Sequence, residues 1–181
     1  VPKDIQGMSR LTLADIEDLL RWKVIELVLG PGGVKGRAMK VPKKDPDWSR
    51  FILDPQGVND VSGDPHPIYL LQPMELVRLF MAHKFAWCAD FTSWFFQLSI
   101  PEEVRSFFEF EVMGKRYRMR VLPQGWKGSP CRAHAVTAIV ADTHPFDRKE
   151  ACGAHSAAWL DNIATLADSR EELKEKRLRV K

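Results

Sequence analysis

The sequence predicts an α+β fold, and three observations carry that prediction. Helical periodicity and strand alternation are interleaved along the chain instead of falling into separate blocks. The alternating segments come as neighbours around short turns, which is the pattern of antiparallel hairpins. The chain has 181 residues, 45% of them hydrophobic and 28% charged, which suits one core-forming domain or one domain with two lobes.

Taken in order, residues 12–29 ("TLADIEDLLRWKVIELVL") predict a helix. Thr12 can cap it, Asp15 sits in its first turn, and Ile16, Leu20, Val24 and Leu27 share one face. "GPGGVKGR" ends the helix as a flexible connector, without the residue order of a phosphate-binding P-loop. Residues 37–54 predict a hairpin, with "RAMKVPKK" and "SRFILD" flanking a "DPD" turn. "VNDVSGDPHP" reads as loop, and "PMELVRLFMAHK" as a helix with Pro73 near its first turn. "FAWCADF" is an apolar strand ending at Asp90. "FEFEVMGKRYRMRVL" predicts two strands around Gly114, setting Phe108, Phe110 and Val112 against Tyr117, Met119 and Val121. "LPQGWKGSP" is a turn-rich loop, and Ser129 and Pro130 start a helix reaching roughly Asp142. "SAAWLDNIATLADS" predicts a hairpin turning at Asp161 and Asn162. "SREELKEKRLRVK" begins a charged last helix that the chain end cuts short.

Composition narrows the function classes. A net charge of +3 is mildly basic and points only weakly to nucleic acid. Cys88, Cys131 and Cys152 form no CxxC pair, which argues against a disulfide framework or a zinc site and for a reducing compartment. The histidines lack metal-ligand spacing, no apolar run is long enough to span a membrane, and the start carries no signal-peptide core. The chain does not begin with Met, so a fragment or processed piece of something longer is expected.

Two aspartates stand out. Nucleotidyl transfer needs two hard divalent cations about 3.5–4 Å apart, held by carboxylates on rigid elements. Asp90 ends a strand and Asp161 sits in a hairpin turn. Either alone is an ordinary turn residue; two on neighbouring strands point to a metal pair.

The residues around them resemble the fingers and palm of reverse transcriptases, the RNA-directed DNA polymerases of retroviruses and retrotransposons. "DFTSWFFQLSI" (Asp90 to Ile100) is similar to the first palm motif, "LPQGWKGSP" (Leu122 to Pro130) to the second, and "WLDN" (Trp159 to Asn162) to the aromatic-x-Asp-Asp motif. "KKDPDWSRFILDPQGVN" (Lys43 to Asn59) resembles the fingers hairpin, including an Asn at matching spacing. The resemblance covers roughly residues 35–175. It implies a right-hand polymerase with an antiparallel palm sheet packed on helices. Residues 1–84 with parts of 101–130 would be fingers, and 85–100 with 131–181 palm. The thumb and RNase H domain would be absent.

The resemblance also assigns roles. Asp90 and Asp161, with the Phe91 carbonyl, would hold two Mg²⁺ or Mn²⁺ ions. Lys43 and Arg50 would meet the incoming triphosphate, although a solvated basic face is the plainer reading of both. The amides of Ser93 and Trp94 would cradle phosphate. Phe95 would exclude a 2′-hydroxyl, unless it is a core ring beside Phe96. Gln124 would line the pocket, and Gly125 would let backbone approach the nucleotide. Trp159 would pack near the primer terminus, in place of the family's Tyr or Phe. Lys127 belongs to a run free of acids between Glu111 and Asp142, with Lys115, Arg116, Arg118, Arg120 and Arg132, which would face template–primer phosphates. Asn162 stands where the family has a second Asp. It keeps an oxygen ligand but removes a charge from the primer-side metal. The implied partners are template–primer and deoxynucleoside triphosphates, with no membrane. The implied location is intracellular, in cytoplasm, nucleus or a virus-like particle. A non-catalytic scaffold built on the same module is the alternative.

Overall fold

The computed structural model describes residues 9–42, 49–147, 152–153 and 155–179. In chain order the elements are α1 (Leu13–Arg21), β1 (Ile25–Leu27), β2 (Arg37–Pro42), β3 (Ser49–Asp54), α2 (Gln56–Val61), α3 (Pro73–Met81), β4 (Phe85–Asp90) and α4 (Trp94–Gln97). There follow α5 (Glu102–Arg105), β5 (Glu109–Val112), β6 (Lys115–Met119), α6 (Ser129–Val140), β7 (Cys152–Gly153), β8 (Ser156–Trp159), β9 (Asn162–Ala167) and α7 (Arg170–Arg179). The mixture of helices and antiparallel sheets is α+β, as the interleaved pattern predicts. The chain forms two compact units, residues 1–64 with 95–129 and residues 65–94 with 130–181.

In the first unit, β1, β6 and β5 form one antiparallel sheet in that order, and β2 pairs with β3 from Arg37↔Asp54 to Pro42↔Ser49. The turn expected at Asp45–Asp47 lies outside the described residues. Alternation on β3 buries Phe51 and Leu53, and the Phe51 ring meets Phe110 at 5.9 Å and Phe96 at 6.2 Å. Phe110 pairs with Tyr117 in the expected hairpin.

The first helix is shorter than its periodicity implies. The expected cap forms, with Thr12 and Asp15 bonding reciprocally, but the helix ends at Arg21. Lys23 takes a φ of +58°, and Ile25–Leu27 then pair as a strand with Tyr117–Met119. Val24 and Ile25 are buried, and an apolar, β-branched run satisfies helical spacing and strand packing equally. The ladder to β6 decides between them. The stretch expected as loop after Asp54 likewise holds α2, because burial of Val58 favours one helical turn there.

In the second unit, the sheet order is β4-β9-β8-β7, all antiparallel. Pro73 opens α3, and the Gln72 and Glu75 capping box fixes its start. Small residues let α6 sit close on one sheet face, where Ala138 and Ala141 pack with Ala158 and Ile163, flanked by Phe91 and Val140. The guanidinium groups of Arg170 and Arg177 on α7 lie 5.8 and 5.4 Å from the ring centroids of Phe85 and Trp87. Those rings share the face of Ala89 and Ile163, since β4 residues alternate. On the opposite face Ala86, Cys88 and Asp90 are exposed.

Candidate active site

The centre of the site is the end of the β4–β9 ladder. Asp90 pairs with Asn162, and the Phe91 N–H donates to the Asp161 carbonyl at 2.8 Å. In an antiparallel ladder that bond makes Phe91 and Asp161 the hydrogen-bonded pair, so Asp90 and Asn162 form the closer, non-hydrogen-bonded pair beside it. Their side chains leave the same exposed sheet face. Asp161 lies in the adjoining turn, half-buried, and the Asn162 side-chain amide donates to its carboxylate at 3.0 Å.

The turn is set one residue earlier than its sequence implies. Trp159 pairs with Asn162, so the two-residue loop is Leu160–Asp161 and Asn162 is the first residue of β9. Leu160 carries a φ of +53°, the positive sign that two-residue hairpin turns of types I′ and II′ share at the first loop position. Register decides this, because it places Asn162 opposite Asp90 and Trp159 together.

The segment after Asp90 is held by its aromatics. Trp94 is buried, its indole N–H donates to the Ala133 carbonyl at 3.3 Å, and its ring stacks on Phe91 at 4.2 Å. Ser93 is exposed with a φ of +52°. Thus Asp90, Phe91, Ser93, Trp94, Trp159, Asp161 and Asn162 all belong to the second unit.

Arg50, Phe95, Gln124, Gly125 and Lys127 belong to the first unit, and Lys43 lies outside the described residues. Arg50 is exposed on β3, and Phe95 is half-buried, while its neighbour Phe96 packs against Phe51. The Gln124 carbonyl accepts from the Leu53 N–H at 3.0 Å, and its side-chain Oε1 is buried with no hydrogen-bond partner. At Gly125 φ is +121°, and a Cβ would lie 2.1 Å from the Leu53 carbonyl oxygen. That close approach of the loop to β3 is therefore one demand for glycine there.

Asn59, marked by its spacing in the sequence but given no role there, holds the loop. Its side chain accepts from the Lys127 N–H at 2.9 Å and donates to the Gly125 carbonyl at 3.0 Å, clasping "GWK" in place. Several residues of the basic run pair with acids within the unit. Arg118, Arg105 and Arg120 surround Glu26, with Arg118 at 2.6 Å; Arg116 pairs with Glu109 at 3.3 Å and Lys127 with Asp64 at 3.6 Å. Burial alone would raise the Glu26 carboxyl pKa, but Arg118 and Arg105 hold it below the ordinary value. The acids that pair with Arg116 and Arg118 come from outside the run, on β5 and β1.

The donor set fits Mg²⁺. No group of three or more His, Cys, Asp or Glu side chains gathers among the described residues. Mg²⁺ needs no such cage, since it takes one or two carboxylates and completes its shell with water and substrate phosphates. Asp90 and Asp161, at adjacent positions of one sheet end, could supply that pair, and the Asn162 side-chain oxygen is a further hard donor.

Comparison with known proteins agrees with this geometry. Residues 41–181 match the family model described as reverse transcriptase (RNA-dependent DNA polymerase). The chain is 28% identical over 185 residues to the Gag-Pro-Pol polyprotein of Human T-cell leukemia virus 2, covering 97% of the chain and 12% of the polyprotein. It is 32% identical over 139 residues to that of Human T-cell leukemia virus 3 (strain 2026ND), covering 71% of the chain and 9% of the polyprotein. The fold matches a prototype foamy virus protease-reverse transcriptase mutant with a TM-score of 0.71 at 21% identity, over 92% of this chain and 21% of that one. It matches the foamy viral protease-reverse transcriptase in complex with double-stranded DNA with a TM-score of 0.68 at 21% identity, over 92% and 27% of the two chains. Among the described residues no helix is long and apolar enough to cross a membrane. The chain belongs to the reverse transcriptase family.

Proposed function

We propose that this chain carries out templated DNA synthesis by two-metal nucleotidyl transfer, as the fingers and palm of a larger reverse transcriptase. Residues 1–84 with parts of 101–130 would form the fingers, and 85–100 with 131–181 the palm. The observation that carries the reading is the Asp90↔Asn162 register with the Phe91 bond to Asp161, which brings Asp90 and Asp161 to one end of the β4–β9 ladder. Asp90, Asp161 and the Phe91 carbonyl would hold two Mg²⁺ or Mn²⁺ ions. Bound there, the ions supply charge neutralisation for the attacking and leaving oxygens.

The chain's own groups do the rest. Lys43 and Arg50 bind the triphosphate, and the Ser93 and Trp94 amides hold its phosphates. The unpartnered Gln124 Oε1 supports a polar ligand group at that residue. Phe95 excludes a 2′-hydroxyl by bulk. Trp159 and Lys127 meet the template–primer, in line with the double-stranded DNA bound by the foamy viral neighbour. Asn162 lacks the charge that would hold the primer-side metal firmly, so turnover is slower than with Asp. The location is intracellular or within a virus-like particle.

One observation favours the scaffold reading: the Asn162 amide occupies an Asp161 carboxylate oxygen. Primer extension with Mg²⁺ or Mn²⁺, on the chain alone and fused to a reverse-transcriptase thumb, separates the two. The polymerase reading predicts extension that rises in Asn162→Asp. Absence of extension in both forms contradicts it.

A further inference from the structure

Helix α6 turns two nearly fully buried polar side chains toward the β8–β9 turn. His134 is 2% exposed and Thr137 is 0% exposed. Both engage Leu160, the residue before Asp161. The Leu160 N–H donates to His134 Nδ1 at 3.3 Å, and the Leu160 carbonyl accepts from the Thr137 hydroxyl.

The proton positions follow from the other partners. A threonine hydroxyl has one proton, and Thr137 Oγ1 also lies 3.0 Å from the Ala133 carbonyl. That carbonyl also accepts from the Trp94 indole, and the Thr137 hydroxyl donates to the Leu160 carbonyl. Because His134 Nδ1 accepts, its proton sits on Nε2. His134 also bonds to the Tyr69 backbone, whose N–H is engaged with the Pro145 carbonyl at 3.0 Å; Nε2–H therefore donates to the Tyr69 carbonyl.

Leu160 needs such a clamp. Its φ of +53° is a left-handed conformation that a leucine side chain disfavours, and it persists only when its surroundings over-determine it. A hairpin turn near solvent normally leaves its outer N–H and C=O to water. Here two core side chains take both groups. On the far side, the Asp161 carbonyl is fixed by the Phe91 N–H at 2.8 Å. The backbone on both sides of the Asp161 side chain is thereby set.

We propose that His134 and Thr137 are positioning residues for the nucleotidyl-transfer site. They hold Leu160 in its left-handed conformation and so keep the Asp161 carboxylate beside Asp90. This inference rests on the two-metal reading above. The pair acts through backbone, so the identity of Leu160 matters less than the two groups that hold it.

The test compares Thr137→Val, which removes the hydroxyl and keeps the shape, with Thr137→Ser, which restores it. His134→Leu against His134→Asn repeats the comparison at a second position, since Asn keeps an acceptor near Nδ1. Mn²⁺ binding in the presence of a deoxynucleoside triphosphate is followed by electron paramagnetic resonance, and hydrogen exchange is followed at the Leu160 amide. Loss of either clamp bond predicts Mn²⁺ binding weaker by about tenfold, with Ser and Asn recovering most of it. His134→Leu also predicts faster Leu160 exchange. Wild-type Mn²⁺ affinity in both Thr137→Val and His134→Leu overturns the proposal while leaving the metal site standing. No Mn²⁺ binding by the wild-type chain overturns the metal reading itself.

Discussion

Replacing Asn162 by Asp has opposite effects without and with metal. The Asp90↔Asn162 pair is non-hydrogen-bonded, which sets its Cβ atoms about 4.5–5.5 Å apart. Two carboxylates about 5 Å apart in water repel by about 0.8 kcal/mol, near the top of the range for like charges directly opposite in a sheet. The variant also loses the Asn162 amide bond to Asp161, which adds a few tenths of a kcal/mol at an exposed position. A total of about 1 kcal/mol lowers the melting temperature of a chain of this size by about 2–4 °C. Mg²⁺ reverses the sign, because the added charge raises metal affinity and ligand binding stabilises the folded state. Thermal unfolding by circular dichroism in EDTA and in millimolar Mg²⁺ reads both effects. The stabilisation by Mg²⁺ should be larger in Asn162→Asp than in wild type, and added salt should shrink the loss in EDTA. A variant that melts higher in EDTA, or gains no more from Mg²⁺ than wild type, would show that residue 162 does not face Asp90.

Other outcomes follow from the same geometry. Gly125→Ala places a Cβ 2.1 Å from the Leu53 carbonyl at a φ of +121°, and should cost more than about 2 kcal/mol in urea unfolding; an unchanged midpoint contradicts the close approach. Burial holds the His134 pKa below 6.5, partly offset by its bond to Tyr69. The folded state thus binds fewer protons than the unfolded one, and stability present above pH 6.5 is lost as pH falls from there toward the lowered value. His134→Asn should flatten that part of the stability profile, and an unaltered slope contradicts it. Phe95→Val should admit ribonucleotides in single-turnover incorporation; unchanged sugar discrimination assigns Phe95 a packing role instead.

The elements that carry the candidate residues were legible because they are strongly patterned and marked by short motifs. Asp90 closes a strand that is apolar on its covered face, and "LPQGWKGSP" joins a period-two hairpin to a helix, so both can be placed without knowing the packing. Asn162 was legible as a substitution but not as the cross-strand partner of Asp90, because one residue of turn register exchanges the roles of Asp161 and Asn162. The acidic partners of the arginine run were hidden for a related reason. Glu26 pairs with Arg118 from a strand whose apolar spacing also suits a helix, and only pairing with β6 reveals that strand. His134 and Thr137 gave no signal, since a buried polar residue on a helix declares its partner only in three dimensions. Asn59 could have been found, because its spacing from the fingers hairpin was visible and an Asn offers both a donor and an acceptor to a loop.

The central claim is that Asp90 and Asp161 together bind the metals that bind a deoxynucleotide. Calorimetric titration of Mn²⁺ with a deoxynucleoside triphosphate, on wild type and on Asp90→Ala, tests it most directly. Metal-dependent nucleotide binding is expected in the wild-type chain, with its loss in Asp90→Ala. Equal binding in both, or nucleotide binding that needs no metal, would contradict it.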